Sequence, residues 1–166
     1  MAVKTNSELA AFFETGDQPS ETEFGHLIDT IQPSSVLLAD DDVNFTVADN
    51  AFRLNIMPNI SANRTITLPT PVLDVWFHIV YLPLAADTDN LTIEGTTAHS
   101  FYGGVIHSDT NLASAGDTDV VFGDGSADDA IVLAAGKHLD IWLHGKSTTV
   151  WYVWGVSAGD TVITIE

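Results

Sequence analysis

The sequence predicts a mainly β domain, an antiparallel β-sandwich or jelly-roll-like barrel, preceded by a short N-terminal helical hairpin. From residue 36 onward, apolar residues recur with a period of two in short runs. Turn-forming clusters separate those runs, among them Asp40-Asp41-Asp42, Gly123-Asp124-Gly125, Gly145-Lys146 and Gly159-Asp160. There is no βαβ alternation, which argues against Rossmann-like and TIM-like folds.

The first 33 residues follow a different period. Thr5 and Glu8 have capping-box spacing, and Leu9, Phe12 and Phe13 follow at helical spacing, with Gly16 suited to a C-cap. Asp17, Gln18 and Pro19 make a turn, and Ser20 with Glu23 repeats the capping-box spacing. Phe24, Leu27, Ile28 and Ile31 then lie on one helical face, which Pro33 ends. Helices are expected over about 7–15 and 21–31. Neither is long enough to be stable alone in water, so both apolar stripes require burial, on the same chain or on a neighbouring protein. The expected division is a docking segment, 1–33, and a β domain, 34–166.

Strands are expected at 36–39, 44–47, 52–56, 65–68, 76–81, 91–94, 105–107, 120–122, 131–133, 138–143, 150–156 and 162–165. In 138–143 the faces separate, with Leu139, Ile141 and Leu143 opposite His138, Asp140 and Trp142. In 150–156 they do not. Trp151 and Val153 face one way, and Val150, Tyr152, Trp154 and Val156 face the other. A strand apolar on both faces is covered on both; a subunit contact is a natural second cover, and a long loop of the same chain over a central strand is the alternative. The candidate docking and interface residues are therefore Leu9, Phe12, Phe13, Phe24, Leu27, Ile28, Trp151, Tyr152 and Trp154. The Asp-, Ala-, Ser- and Gly-rich stretch 109–130 reads as a long surface excursion with at most one short strand.

The 166 residues suit one domain, and 45% apolar content supports a core. No apolar run approaches a membrane span, and nothing near Met1 resembles a signal peptide. Hence the tripeptides at Asn44, Asn59, Asn63 and Asn90 read as chance matches to the glycosylation sequon. The net charge of −18, from 23 acids against five Lys plus Arg, makes nucleic acid and anionic membranes poor partners. Between Arg64 and Lys137 there is no basic residue at all. With no cysteine, disulfides, thiolate metal sites and Cys nucleophiles are excluded.

No residue pattern marks a catalytic, cofactor or metal site. Asp117, Asp119, Asp124, Asp128 and Asp129 offer oxygen ligands, but the spacing is not an EF-hand and the closing Glu is missing. His138, Asp140 and His144 are a loose match to a zinc set. There is no G-x-S-x-G elbow, and Gly123-Asp124-Gly125 lacks the glycine and helix of a phosphate loop. Exposed Tyr102 and Trp142 beside Asp and Asn could stack on a sugar.

Several segments resemble bacteriophage sequences. SELAAFFETGDQPSETEFGHLIDTI (7–31) resembles the N-terminal segment of tailed-bacteriophage virion proteins, including fibre-like chains. SANRTITLPTP (61–71), LTIEG (91–95), the apolar stretch ending in glycine (131–136) and VWYVWG (150–155) resemble the β modules of those proteins. The resemblance implies a non-enzymatic virion structural protein without cofactor. It implies assembly as a homotrimer in the host bacterial cytoplasm, with the major capsid protein or another virion protein as partner. Lacking a heptad stem or repetitive shaft, the chain better suits a capsid decoration (cement) protein. A short tail or head fibre, or an adaptor with a receptor- or glycan-binding role, is the alternative.

Overall fold

The computed structural model describes residues 20, 22–23, 35–84, 88–95, 99–109, 118–125, 130–159 and 163–165. They form two sheets. The larger has seven strands in the order β1 (Ser35–Leu37), β3 (Leu54–Met57), β5 (Trp76–Tyr81), β10 (His138–Gly145), β11 (Val150–Gly159), β7 (Ser100–Asp109) and β8 (Thr118–Asp124). The smaller has five, β12 (Thr164–Ile165), β9 (Ala130–Leu133), β6 (Leu91–Glu94), β4 (Arg64–Thr67) and β2 (Val43–Asn44). Each expected strand has a counterpart. The stretch read as a surface excursion carries β8, seven residues long. Val47, expected at the end of a strand, instead begins one helical turn, α1 (Val47–Asn50). Thr46 caps it by accepting from the Asp49 amide at 3.1 Å.

Both sheets are mixed, which corrects the antiparallel expectation. β1, β3 and β5 run parallel to one another, as do β2, β4 and β6, and β7 is parallel to β11. The remaining pairs are antiparallel. Parallel neighbours need a crossover, usually a helix. Here the chain crosses between sheets at every step from β1 to β6, so a strand of the opposite sheet serves as the crossover. Absence of βαβ alternation therefore excludes helical crossovers without excluding parallel pairing.

Inward residues of both sheets form one apolar cluster. The small sheet supplies Ile66, Leu91, Ile93, Ile131 and Leu133, and the large sheet supplies Phe77, Ile79, Leu139, Ile141, Leu143, Phe101, Val105, Trp151 and Val153. Phe77 lies 5.4 Å from Phe45 and 5.4 Å from Trp151 between ring centroids, so it bridges the layers. Buried Asn55 is satisfied, its amide nitrogen lying 2.9, 3.1 and 3.2 Å from the carbonyl oxygens of Asn50, Arg53 and His78. Gly103 has φ +125°, and a Cβ there would run into the Val153 carbonyl, so only glycine fits this approach of β7 to β11.

The expected hairpin over 7–15 and 21–31, with its docking residues Leu9, Phe12, Phe13, Phe24, Leu27 and Ile28, lies outside the described residues. Only its second capping box is described. The Ser20 amide and hydroxyl donate to Glu23 Oε2 at 2.6 and 2.8 Å, the Glu23 amide donates back to Ser20 Oγ at 3.3 Å, and Thr22 and Glu23 are helical.

Truncating Phe77 to Ala removes the ring that joins the layers. It should lower unfolding free energy by about 3–5 kcal/mol in urea denaturation, with the secondary-structure signal retained. A second prediction concerns Asp40, before β2. Its carboxylate is held below the usual range by the Ser61 hydroxyl, by Arg64, whose Nε donates at 2.9 Å, and by the Ser61 amide. A depressed folded value means that the contribution is complete above the unfolded pKa and is lost as pH falls through the folded one. Asp40→Asn should therefore remove part of the acid-side loss of stability below about pH 4. A carboxyl NMR titration giving an ordinary Asp midpoint for Asp40 would refute this account.

Candidate functional site

The two sheets differ in what they turn away from the core. On the small sheet, Thr65 pairs with Thr92, Thr92 with Val132, and Val132 with Thr164; one step along, Thr67 pairs with Glu94 and their side chains meet at 3.3 Å. That face is mostly hydroxyl and carboxylate, as expected where a sheet meets water.

The large sheet turns out rings and aliphatic groups instead. Register aligns three lateral rows. The first is Trp76, His144, Tyr152, Tyr102 and Asp124, from β5 to β8. The second is Leu54, His78, Trp142, Trp154, Gly104 and Phe122. The third is Leu37, Ile56, Val80, Asp140, Val156, Ile106 and Val120. Phe122 is 70% exposed, Val156 52% and Trp154 50%. Within these rows only Asp124 and Asp140 carry carboxylates, and His78 Nε2 lies 2.6 Å from Asp140 Oδ1.

The middle row is a stack of rings standing on neighbouring strands. His78 and Trp142 are stacked at 4.1 Å and 14°, and Trp142 and Trp154 at 5.7 Å and 4°. Trp76 closes on Trp142 at 4.9 Å, and Phe52 packs edge-on against Trp76 at 5.7 Å. Trp142 is thus covered on both ring faces. Gly104 gives the row its flat section, since a Cβ there would sit 2.9 Å from Phe122 Cδ1. Adjacent strands hold such rings at the spacing that aromatic pairs favour, so the rings support one another across the sheet.

Of the interface residues expected in 150–156, Tyr152 and Trp154 lie on this face. Trp151 does not. It is fully buried and packs on Phe77, which makes it a core residue rather than a docking one. Reading β11 alone missed Trp76, Val80, Ile106, Val120 and Phe122. The run WFHIVY at 76–81 carried the same two-sided signal, whereas β8 was hidden in an Asp-rich context.

The polar candidates are dispersed. Asp119 and Asp124 lie five positions apart on β8, and Asp117, Asp128 and Asp129 are outside the described residues. His138, Asp140 and His144 do share the outward side of β10, but Asp140 is engaged by His78, and His144 lies four positions further along the strand. Among the described residues no group of three or more His, Cys, Asp or Glu could hold a metal ion. His107 is buried, with Nδ1 2.9 Å from Ser157 Oγ, within the core. At the end of the first row, Tyr102, Asp124, Lys146, Ser147 and Val150 line an open pocket of about 290 Å³. Lys146 Nζ sits 3.9 Å above the Tyr102 ring and covers one of its faces. Among the described residues no helix is long and apolar enough to cross a membrane.

Comparison with protein-family models, curated proteins and solved structures finds no match.

The ring stack makes unequal predictions for its two tryptophans. Trp142→Ala removes a doubly covered ring and should lower stability by about 3 kcal/mol or more, while Trp154→Ala removes one stacking contact and should cost about 1 kcal/mol. Urea denaturation of the two variants compares them directly. Equal losses would mean that the stack does not order the face.

Proposed function

We propose that this protein is a non-enzymatic virion structural protein, a homotrimeric capsid decoration (cement) protein that binds and stabilises the major capsid shell of a tailed bacteriophage. It is made in the host bacterial cytoplasm and carried on the virion. The observation that carries the assembly role is the outer face of the large sheet, where three rows of rings and aliphatic side chains meet solvent on a chain of net charge −18. Exposed apolar surface of that extent marks a surface that becomes covered.

The phage assignment rests on the resemblance. The segments that carry it have a consistent place in the fold: RTIT is β4, LTIE is β6 and the apolar stretch from 131 is β9, three neighbours in the small sheet. VWYVWG belongs to β11. The first three are scaffold strands, while VWYVWG also supplies Tyr152 and Trp154 of the outward face. In this reading the two sheets are the layers of a jelly-roll-like β-sandwich, residues 1–33 form a helical hairpin that docks on the shell, and the acidic loops face solvent and keep particles apart.

The alternative, a short fibre or glycan-binding adaptor, asked for open aromatic rings at Tyr102 and Trp142. Trp142 is stacked on both faces and does not favour it, while Tyr102, covered by Lys146 on one face, keeps the other. Native mass spectrometry of the full chain at micromolar concentration should give a trimer, and quantifying copies on purified particles should match the capsid lattice. A monomer, or the copy number of a few fibres, would overturn the reading. Removing residues 1–33 should abolish capsid occupancy while the β domain stays folded; full occupancy would end the docking role of the hairpin.

A further inference from the structure

We propose that the open pocket at the end of the first row binds a neutral saccharide. The proposal goes beyond the assembly reading and does not rest on it, since one chain forms the whole site.

The pocket lies where β7, β8 and β11 meet the turn between β10 and β11. Tyr102 of β7 pairs in register with Asp124 at the end of β8 and with Tyr152 of β11. Val150 opens β11, and the turn before it brings Lys146 and Ser147 to the same opening. That turn is tied down on both flanks. The Gly145 amide donates to the Val75 carbonyl at 2.8 Å, the Lys146 amide to the Val150 carbonyl at 3.0 Å, and the Ser100 amide to the Thr149 carbonyl at 2.9 Å. Ser147 Oγ accepts from the Thr149 amide at 3.2 Å. A Cβ at Gly145 would run into the Val72 carbonyl, so glycine is needed where the chain enters the turn. Gly125, with φ +82°, ends the opposite wall beside the Tyr102 ring.

The lining selects the ligand by exclusion. Lys146 is exposed, and among the described residues no carboxylate pairs with it; its ammonium lies 3.9 Å above the Tyr102 ring. A cationic ligand therefore finds that ring face taken. An anionic ligand approaches a chain of net charge −18 and meets the Asp124 carboxylate inside the pocket. A wholly apolar ligand would strip water from both charged groups without replacing its hydrogen bonds. A neutral polyhydroxylated ring suits every wall. Its hydroxyls accept from Lys146 Nζ and Ser147 Oγ and donate to the Asp124 carboxylate, while its C–H face lies on Tyr102 and Val150. Tyr152, 6.3 Å from Tyr102 and tilted by 41°, extends the aromatic wall. The volume of about 290 Å³ is at the low end of small-molecule sites, roughly 300–1,000 Å³, and suits a short saccharide or the end of a longer glycan.

The test applies full-length wild type, Tyr102→Ala, Tyr102→Phe, Lys146→Met and Phe122→Ala to a printed array of neutral, carboxylated and amino sugars, with free glucose, galactose and mannose as competitors. Wild type should bind neutral glycans. Tyr102→Ala and Lys146→Met should each bind about tenfold more weakly, with unchanged circular dichroism. Tyr102→Phe, which keeps the ring, and Phe122→Ala, 70% exposed on the same face but outside the pocket, should retain binding. Binding to no sugar on the array overturns the proposal, as does binding to carboxylated or amino sugars alone. Binding that survives both pocket substitutions, or is lost on Phe122→Ala instead, places the ligand elsewhere on the sheet and also overturns it. Competition by a free hexose supports a single sugar unit as the ligand, and array binding without competition supports a longer chain. Should Tyr102→Ala unfold the protein, Lys146→Met, in an exposed turn, carries the same decision. Oligomeric state and capsid occupancy are separate readouts, so failure here leaves the assembly reading standing.

Discussion

The structure depends on Phe77. Its ring packs on Phe45, which follows β2 of the small sheet, and on Trp151 of β11. Two thin sheets cannot each bury a face alone, and the contact that unites them decides which face of every strand is inward. Once Phe77 and Trp151 point into the core, strand alternation turns Trp76, His78, Tyr152 and Trp154 outward. The candidate surface is therefore a by-product of core register. A one-residue slip of β11 would exchange Trp151 for Tyr152 and Trp154, which the rings of both faces resist.

Topology explains how such a face is assembled from distant segments. β5, β10, β11, β7 and β8 are neighbours in space, but their order in sequence is interrupted by β6 and β9 of the other sheet. The rows across them combine residues from Trp76 to Val156, none of which is close to all the others along the chain. Parallel pairing of β11 with β7 sets Trp154 opposite Gly104, and the absence of a side chain there lets Phe122 lie across the gap. A side chain at 104 would displace the Phe122 ring.

Acidity and apolar exposure are complementary properties of this chain. The outward face of the large sheet combines few carboxylates with exposed apolar side chains, on a chain of net charge −18. Acidic groups are also used locally. Asp40 accepts from Ser61 and Arg64 and ties the segment before β2 to β4.

The amino-acid sequence by itself determined that the fold is mainly β, where its strands lie, and that 150–156 is apolar on both faces, because period-two alternation and turn residues are local properties. It also determined the Ser20–Glu23 capping box, a contact across three residues. Only the tertiary structure decided that strands pair in parallel through crossovers in the opposite sheet, since pairing partners leave no mark on alternation. It likewise decided that Trp151 belongs to the core while Tyr152 and Trp154 do not. A two-sided apolar strand gives no local signal of which side the rest of the chain covers. That choice follows from long-range packing against Phe77, and with it the location of the exposed face.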